Sequence, residues 1–282
     1  FHNSSLESIT IPNSLSIISE HVFDGCFNLK TLNFDINSIL IDIQDYALYG
    51  TSLTKVMLPS SLKSIGVSSF SYCSPLQGLS FGDKNVDNSQ LESIGERAFQ
   101  GSGIENTIFP SSQLKTIGDF AFSQCSRLNE IKFTIGGIDD SLSLGNYAFY
   151  GTNLEGLDIP STVKMIGSSA FSSCANLKDL TISCDSQVTI NNNAFLNTQI
   201  GKESISLPIS AACIDCGLEV NDIKVTCAPT QAPTNGGNTI VTVNNSLINF
   251  SNIDPKLWMY LAVFVALGAG AFGVFVVNLP GR

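Results

Sequence analysis

The chain has 282 residues, 43% apolar and only 13% charged, with 24 acidic side chains against 14 basic ones and a net charge of −10. Charged residues make up about a quarter of an ordinary globular chain, so this composition suits a body in which every part is covered by a neighbour. The acidic balance excludes a nucleic-acid backbone as partner, since that needs a clustered Lys/Arg footprint.

The chain opens on Phe1-His2-Asn3-Ser4-Ser5-Leu6. That is the tail of a repeat, so further repeats and a secretion signal are expected upstream of it. From there to Pro208 one pattern recurs, best followed through an aromatic at Phe1, Phe23, Phe70, Phe99, Phe122, Phe149, Phe171 and Phe195, with Leu48 replacing it once. The gaps are 22, 25, 22, 29, 23, 27, 22 and 24 residues. A period in this range predicts a solenoid of stacked coils, each burying its apolar face against the next.

Three residues after the aromatic, Cys26, Cys73, Cys125 and Cys174 alternate with Ser4, Thr51, Ser102, Thr152 and Thr198, so the unit is a pair of coils. An apolar-Pro step marks each pair at Ile11-Pro12, Leu58-Pro59, Phe109-Pro110, Ile159-Pro160 and Leu207-Pro208.

The pattern L-x-x-I-x-I-P-x-S-L-x-x-I-G-x-x-A-F-x-x-C-x-x-L, seen most fully at Ile159 to Leu177, resembles the BspA-like, treponemal type of leucine-rich repeat. The resemblance covers residues 1–208, about three quarters of the chain. It implies a surface protein of the kind found in bacteria and in parasitic protists such as trichomonads, where adhesion to host matrix or to other cells is the usual role.

Within each coil the run Leu-x-x-Leu-x-Ile ends in an apolar alternation of period two, which predicts a short parallel strand. Eight coils at about 4.8 Å each would make a curved rod roughly 40 Å long. Ile-Gly steps at Ile65-Gly66, Ile94-Gly95, Ile117-Gly118 and Ile166-Gly167 suggest tight turns on the return path. The Ala-Phe segments read as single helical turns.

The outward strand positions form the expected binding face. One column carries Ser8, Thr31, Lys55, Asn106, Glu130 and Asp179; the next carries Thr10, Asn33, Met57, Ser80, Ile108, Lys132, Asp158 and Thr181. The longer insertions, Asp83 to Gln90 and Gly136 to Ser141, are further contact candidates.

After Pro208 the rhythm stops. Residues 209–227 hold Cys213, Cys216 and Cys227 and read as a C-terminal cap; residues 228–256, rich in Pro, Thr, Asn and Gly, read as a stalk. Leu257 to Val277 is 21 residues without a charge, enough to cross a hydrocarbon core of about 30 Å as a helix. Residues 278–282 form a short tail. A removed lipid-anchor signal is the other reading of the same apolar tail. Small residues at Ala262, Ala266 and Gly270, or Ala269 and Gly273, suggest a weak homodimer through that helix.

Little in the sequence suggests reaction chemistry. With only His2 and His21 available, no Ser-His-acid arrangement recurs. Asp83 to Asp87 begins like a calcium loop, but Asn88 and Ile94 stand where Gly and Glu are needed. The letters of Gly268 to Gly273 match a dinucleotide fingerprint but lie inside the apolar span. No catalytic residue, metal or cofactor is expected.

Cys26, Cys73, Cys125 and Cys174 lie two coils apart, beyond disulfide reach, and read as small buried hydrophobes. Cys184, Cys213, Cys216 and Cys227 are candidates for disulfides closing the cap, or for a four-cysteine zinc site. Asn3, Asn244 and Asn249 begin glycosylation triplets.

The expectation is a non-enzymatic adhesin or antigen, held in the plasma membrane with its repeat domain outside the cell. Host matrix or cell-surface proteins or glycans are its expected partners. A receptor-like ligand-binding ectodomain and a structural coat protein are the alternatives.

Overall fold

The computed structural model describes residues 1–82, 88–110, 113–133, 141–182 and 188–201, together with short strands between residues 205 and 249. It divides into two compact units, one of residues 1–209 and 215–227, the other of residues 210–214 and 228–282.

The repeat unit is a parallel β-solenoid. Its first sheet contains β1 (Ser8–Ile11), β3 (Thr31–Phe34), β5 (Lys55–Leu58), β7 (Gly78–Phe81), β9 (Asn106–Phe109) and β11 (Glu130–Phe133), paired in that order, and a separate sheet continues with β13 (Gly156–Ile159), β15 (Asp179–Ile182) and β17 (Ile205–Ser206). A second, eight-stranded sheet collects the return segments β2 (Ile17–Ile18), β4 (Asp42–Ile43), β6 (Ser64–Ile65), β8 (Ser93–Ile94), β10 (Thr116–Ile117), β12 (Leu142–Leu144), β14 (Val163–Ile166) and β16 (Thr189–Ile190). The repeat unit ends in an antiparallel pair, β18 (Leu218–Val220) with β19 (Ile223–Val225). In the other unit β20 (Ile240–Val243) pairs antiparallel with β21 (Ser246–Asn249), inside the stretch read as a stalk.

The Ala-Phe segments are not helical turns, and no helix occurs among the described residues. In each complete coil the residues two before and two after the aromatic position lie in the left-handed region: His21 and Gly25, Tyr46 and Gly50, Ser68 and Tyr72, Arg97 and Gly101, Phe120 and Gln124, and onward to Asn193 and Asn197. The reason lies in the direction of the amide groups. A helix would turn every N–H along its own axis, whereas alternating hands send every second N–H across to the next coil. Thus Phe120, Phe122 and Gln124 donate to the carbonyls of Asn146, Ala148 and Tyr150 at 2.9, 2.7 and 2.7 Å, while Ala121 and Ser123 close turns on Gly118 and Phe120. The left-handed conformation costs about 1–2 kcal/mol at each non-glycine residue. The cost is offset because the segment becomes a third ladder, in which every second N–H is taken up by the next coil.

Inside the coils the aromatics stack. Phe70, Phe99, Phe122, Phe149, Phe171 and Phe195 form one file with centroid separations of 5.0, 5.0, 5.3, 5.1 and 5.3 Å. Phe109 meets this file edge-on, 5.3 Å from Phe122. Leu48 interrupts it, leaving Phe1 and Phe23 as a separate stacked pair at 5.6 Å.

The glycines of the Ile-Gly steps do a different job from the one the sequence suggests. Gly66, Gly95, Gly118 and Gly167 have no positive φ; together with Gly145 they let backbone lie on backbone. A Cβ on Gly95 would come within 2.8 Å of the Gly66 carbonyl carbon, and one on Gly118 within 2.8 Å of Gly95.

Two core positions break the repeat. Thr107 pairs with Ile131 in a column that is otherwise apolar, and Ser69 precedes Phe70 where Ala98, Ala121, Ala148 and Ala170 precede their aromatics. Both hydroxyls are buried without a hydrogen-bond partner. Thr107→Val and Ser69→Ala are each expected to stabilise the protein by about 1 kcal/mol, by removing a desolvated hydroxyl. Urea denaturation measures this, and a loss of stability in both variants would contradict it.

Candidate binding surface

The first sheet is half-buried by design: its apolar residues point inward and every second position points out. Ser8, Thr31, Lys55, Gly78, Asn106 and Glu130 lie side by side across β1, β3, β5, β7, β9 and β11. Thr10 pairs with Asn33, Met57 with Ser80, Ile108 with Lys132, and Asp158 with Thr181; Asp179 opposes Gly156. All fourteen residues expected on this face are exposed or half-exposed, so the structure brings them onto outward columns, with Asp158, Asp179 and Thr181 on the separate sheet. Met57 and Ile108 are 55% and 56% exposed. Lys132 Nζ lies 2.6 Å from Glu130 Oε1, so this one pair partly satisfies itself.

The repeat cysteines are free thiols, all buried, and the structure supplies the reason for their alternation with Ser or Thr. Each sulfur meets the hydroxyl of the preceding coil: Cys26 with Ser4 at 3.3 Å, Cys73 with Thr51 at 3.2 Å, Cys125 with Ser102 at 3.3 Å and Cys174 with Thr152 at 3.1 Å. Each thiol donates to the carbonyl of that coil's aromatic position, at 3.0–3.2 Å, from Cys26 to Phe1 through Cys174 to Phe149. With its S–H committed, the sulfur accepts from the hydroxyl. In the coil of Phe195 the hydroxyl of Thr198 turns back to the Phe195 carbonyl at 2.8 Å. Burial pushes the Cys73 thiol up to about 11 and the Cys125 thiol up to about 12, and raises Cys174, against weaker lowering by the neighbouring hydroxyl and by the backbone amides of that hydroxyl residue and of the glycine before it. A thiol raised in this way stays protonated at neutral pH.

Both histidines approach one carboxylate. His21 Nδ1 is 2.8 Å and His2 Nδ1 3.6 Å from Asp24 Oδ2. Among the described residues no group of three or more His, Cys, Asp or Glu side chains is arranged to hold a metal ion. Asn3 is exposed, with φ 57°, and its side chain lies 2.8 Å from His2 Nε2. Asn249 falls at the end of β21. Asn244, the four cap cysteines Cys184, Cys213, Cys216 and Cys227, the loop Asp83 to Asp87 and the apolar stretch Leu257 to Val277 lie outside the described residues. Among the described residues no helix is long and apolar enough to cross a membrane.

One surface escaped the sequence reading. Several left-handed residues two before the aromatic stack on one another between neighbouring coils, His21 on Tyr46 at 4.9 Å, Phe120 on Tyr147 at 4.9 Å and the Arg97 guanidinium over Phe120 at 4.9 Å, whereas Ser68 and Ser169 in the same slot are buried. The signal was present as a variable slot enriched in aromatics, but a helical turn would have scattered those side chains.

Six copies of the BspA type leucine-rich repeat region match residues 1–112 and 92–216. The chain belongs to the BspA-type leucine-rich repeat family. A leucine-rich repeat protein from Bacteroides ovatus has a similar fold: TM-score 0.52, 23% identity over 72% of this chain, which spans 57% of the length of that protein. The T. pallidum leucine-rich repeat protein TpLRR matches 62% of the chain and 66% of its own at 22% identity and TM-score 0.44. A leucine-rich cell surface protein from Faecalibacterium prausnitzii matches 73% of this chain and 80% of its own at 19% identity and TM-score 0.28. No curated protein matches the sequence.

Proposed function

We propose that this protein is a membrane-anchored cell-surface adhesin or antigen, a binding scaffold rather than an enzyme. Its ligand surface is the outward face of the first sheet, and its partners are extracellular-matrix or cell-surface proteins or glycans of a host. The observation that carries this reading is the register of that face. Small polar, charged and two exposed apolar side chains, Met57 and Ile108, stand in columns on a rigid sheet, the arrangement by which repeat proteins bind over many modest contacts. The family match and the name of the Faecalibacterium prausnitzii relative support a surface location. The uncharged stretch Leu257 to Val277 is the proposed anchor.

The test is binding of the full chain to immobilised matrix proteins and to intact cells, with Met57→Glu and Ile108→Glu introduced together. The expected result is saturable binding by the unmodified chain, weakened at least about tenfold by the double change, equivalent to about 1.4 kcal/mol. Binding that the double change leaves intact moves the site to another face. A chain that binds nothing is better read as an architectural coat protein.

A further inference from the structure

The turn face of the coils carrying Phe23, Leu48 and Phe70 holds a run of aromatic side chains. His21 stacks on Tyr46; Tyr46 tilts against Tyr49 at 5.9 Å; Tyr49 meets Tyr72 edge-on at 5.7 Å. Tyr72 is 52% exposed, and Phe27, close beside Gly50, is 67% exposed. Tyr72 projects from a left-handed residue and lies over the next coil, where Gly101 leaves it room; a Cβ there would come within 2.9 Å of the ring.

The charged groups on these turns have one sign. Residues 19–27, 44–52 and 66–74 contain Glu20, Asp24 and Asp45 and no Lys or Arg. Asp45 is engaged by the Val67 amide at 2.7 Å and Asp24 by His21, while Glu20, whose side chain is 62% exposed, has Oε1 3.5 Å from His21 Nε2. The Tyr49 phenol is raised first by burial and then by Tyr72, Asp24 and Tyr46. Aromatic rings beside carboxylates, with no Lys or Arg among them, attract cations.

The chain itself seats a cation on an arrangement of this kind. Three coils along, Arg97 stands in the register of His21, Phe120 in that of Tyr46 and Glu96 in that of Glu20. There the guanidinium lies over the Phe120 ring at 4.9 Å and pairs with the Glu96 carboxylate. We propose that the turn face around Tyr46, Tyr49 and Tyr72 is a second binding surface, separate from the first sheet, which docks a Lys- or Arg-bearing segment of a partner protein. Here His21 already covers Tyr46, so the partner's cation is seated on the rings of Tyr49 and Tyr72, on a turn face whose exposed carboxylate is that of Glu20.

The test uses the full chain and two probes at 0.15 M salt: a twelve-residue peptide alternating Arg and Gly, and the same peptide with citrulline in place of arginine, which keeps the shape and removes the charge. Isothermal titration is expected to show the arginine peptide binding at least about tenfold more tightly, and Tyr49→Leu with Tyr72→Leu weakening it by about tenfold. Glu20→Gln, on an exposed side chain, is expected to weaken it two- to threefold and keeps the test available if the double variant misfolds. Met57→Glu is expected to leave this binding unchanged, which separates it from the first-sheet surface. Equal binding of the two peptides would make this a charge-indifferent apolar face and overturn the proposal. Undiminished binding by the double leucine variant would reduce the effect to net charge and overturn it too, as would failure of the arginine peptide to bind.

Discussion

Phe122→Ala is expected to destabilise the repeat unit by about 4 kcal/mol, near the middle of the range for emptying a fully buried aromatic site. Phe122 is 0% exposed and sits between Phe99 at 5.0 Å and Phe149 at 5.3 Å, with their planes within 14° and 5° of its own, while Phe109 closes it edge-on at 5.3 Å. The neighbouring rings cannot collapse into the gap, because each is fixed by a backbone ladder to the coils on either side. In a solenoid the coupling between neighbours carries the cooperativity. A single sharp urea transition in the unmodified chain should therefore become broader or biphasic in the variant. A loss below about 1 kcal/mol would mean that the aromatic file is incidental to stability.

Gly167→Ala should cost about 3 kcal/mol, the upper end for overpacking. A Cβ at this position would lie 2.5 Å from the Gly145 carbonyl carbon, 2.6 Å from the Asn146 nitrogen and 2.6 Å from the Gly145 oxygen. All three are backbone atoms, so relief requires the coils to separate. Gly156→Ala is the matched control. Its Cβ would meet Asp179 only at 3.8 and 3.9 Å, an ordinary contact, and a change within about 0.5 kcal/mol is expected. Thermal denaturation of the two variants side by side decides the matter; equal effects would show that close approach of the backbones is not what the glycine column is for.

The aromatic spacing and the Cys–Ser/Thr alternation were legible because a solenoid imposes the same environment once per coil, so side chains such as Phe99 and Phe122 recur at the period of the fold. The outward columns were legible too: a strand alternates its side chains by geometry alone, and Lys55, Met57, Asn106 and Ile108 emerge on the expected face. The turn segments were not. An Ala-Phe pair between polar residues has the same apolar signature whether the backbone is helical or alternates in hand, and only the hydrogen bonds from Phe120, Phe122 and Gln124 to the following coil select the second. That choice aims His21, Tyr46 and Phe120 outward and creates a surface no motif announces.

The sequence by itself determined the repeat, the buried aromatic file and the polar sheet face, because each follows from periodicity and from which residues avoid water. Tertiary structure alone decided the hand of the turns, the hydroxyl-to-thiol pairing between Thr51 and Cys73 or Thr152 and Cys174, and the close backbone approach at Gly167. These depend on atoms more than twenty residues apart in the chain, and such contacts exist only once one coil has been laid on another.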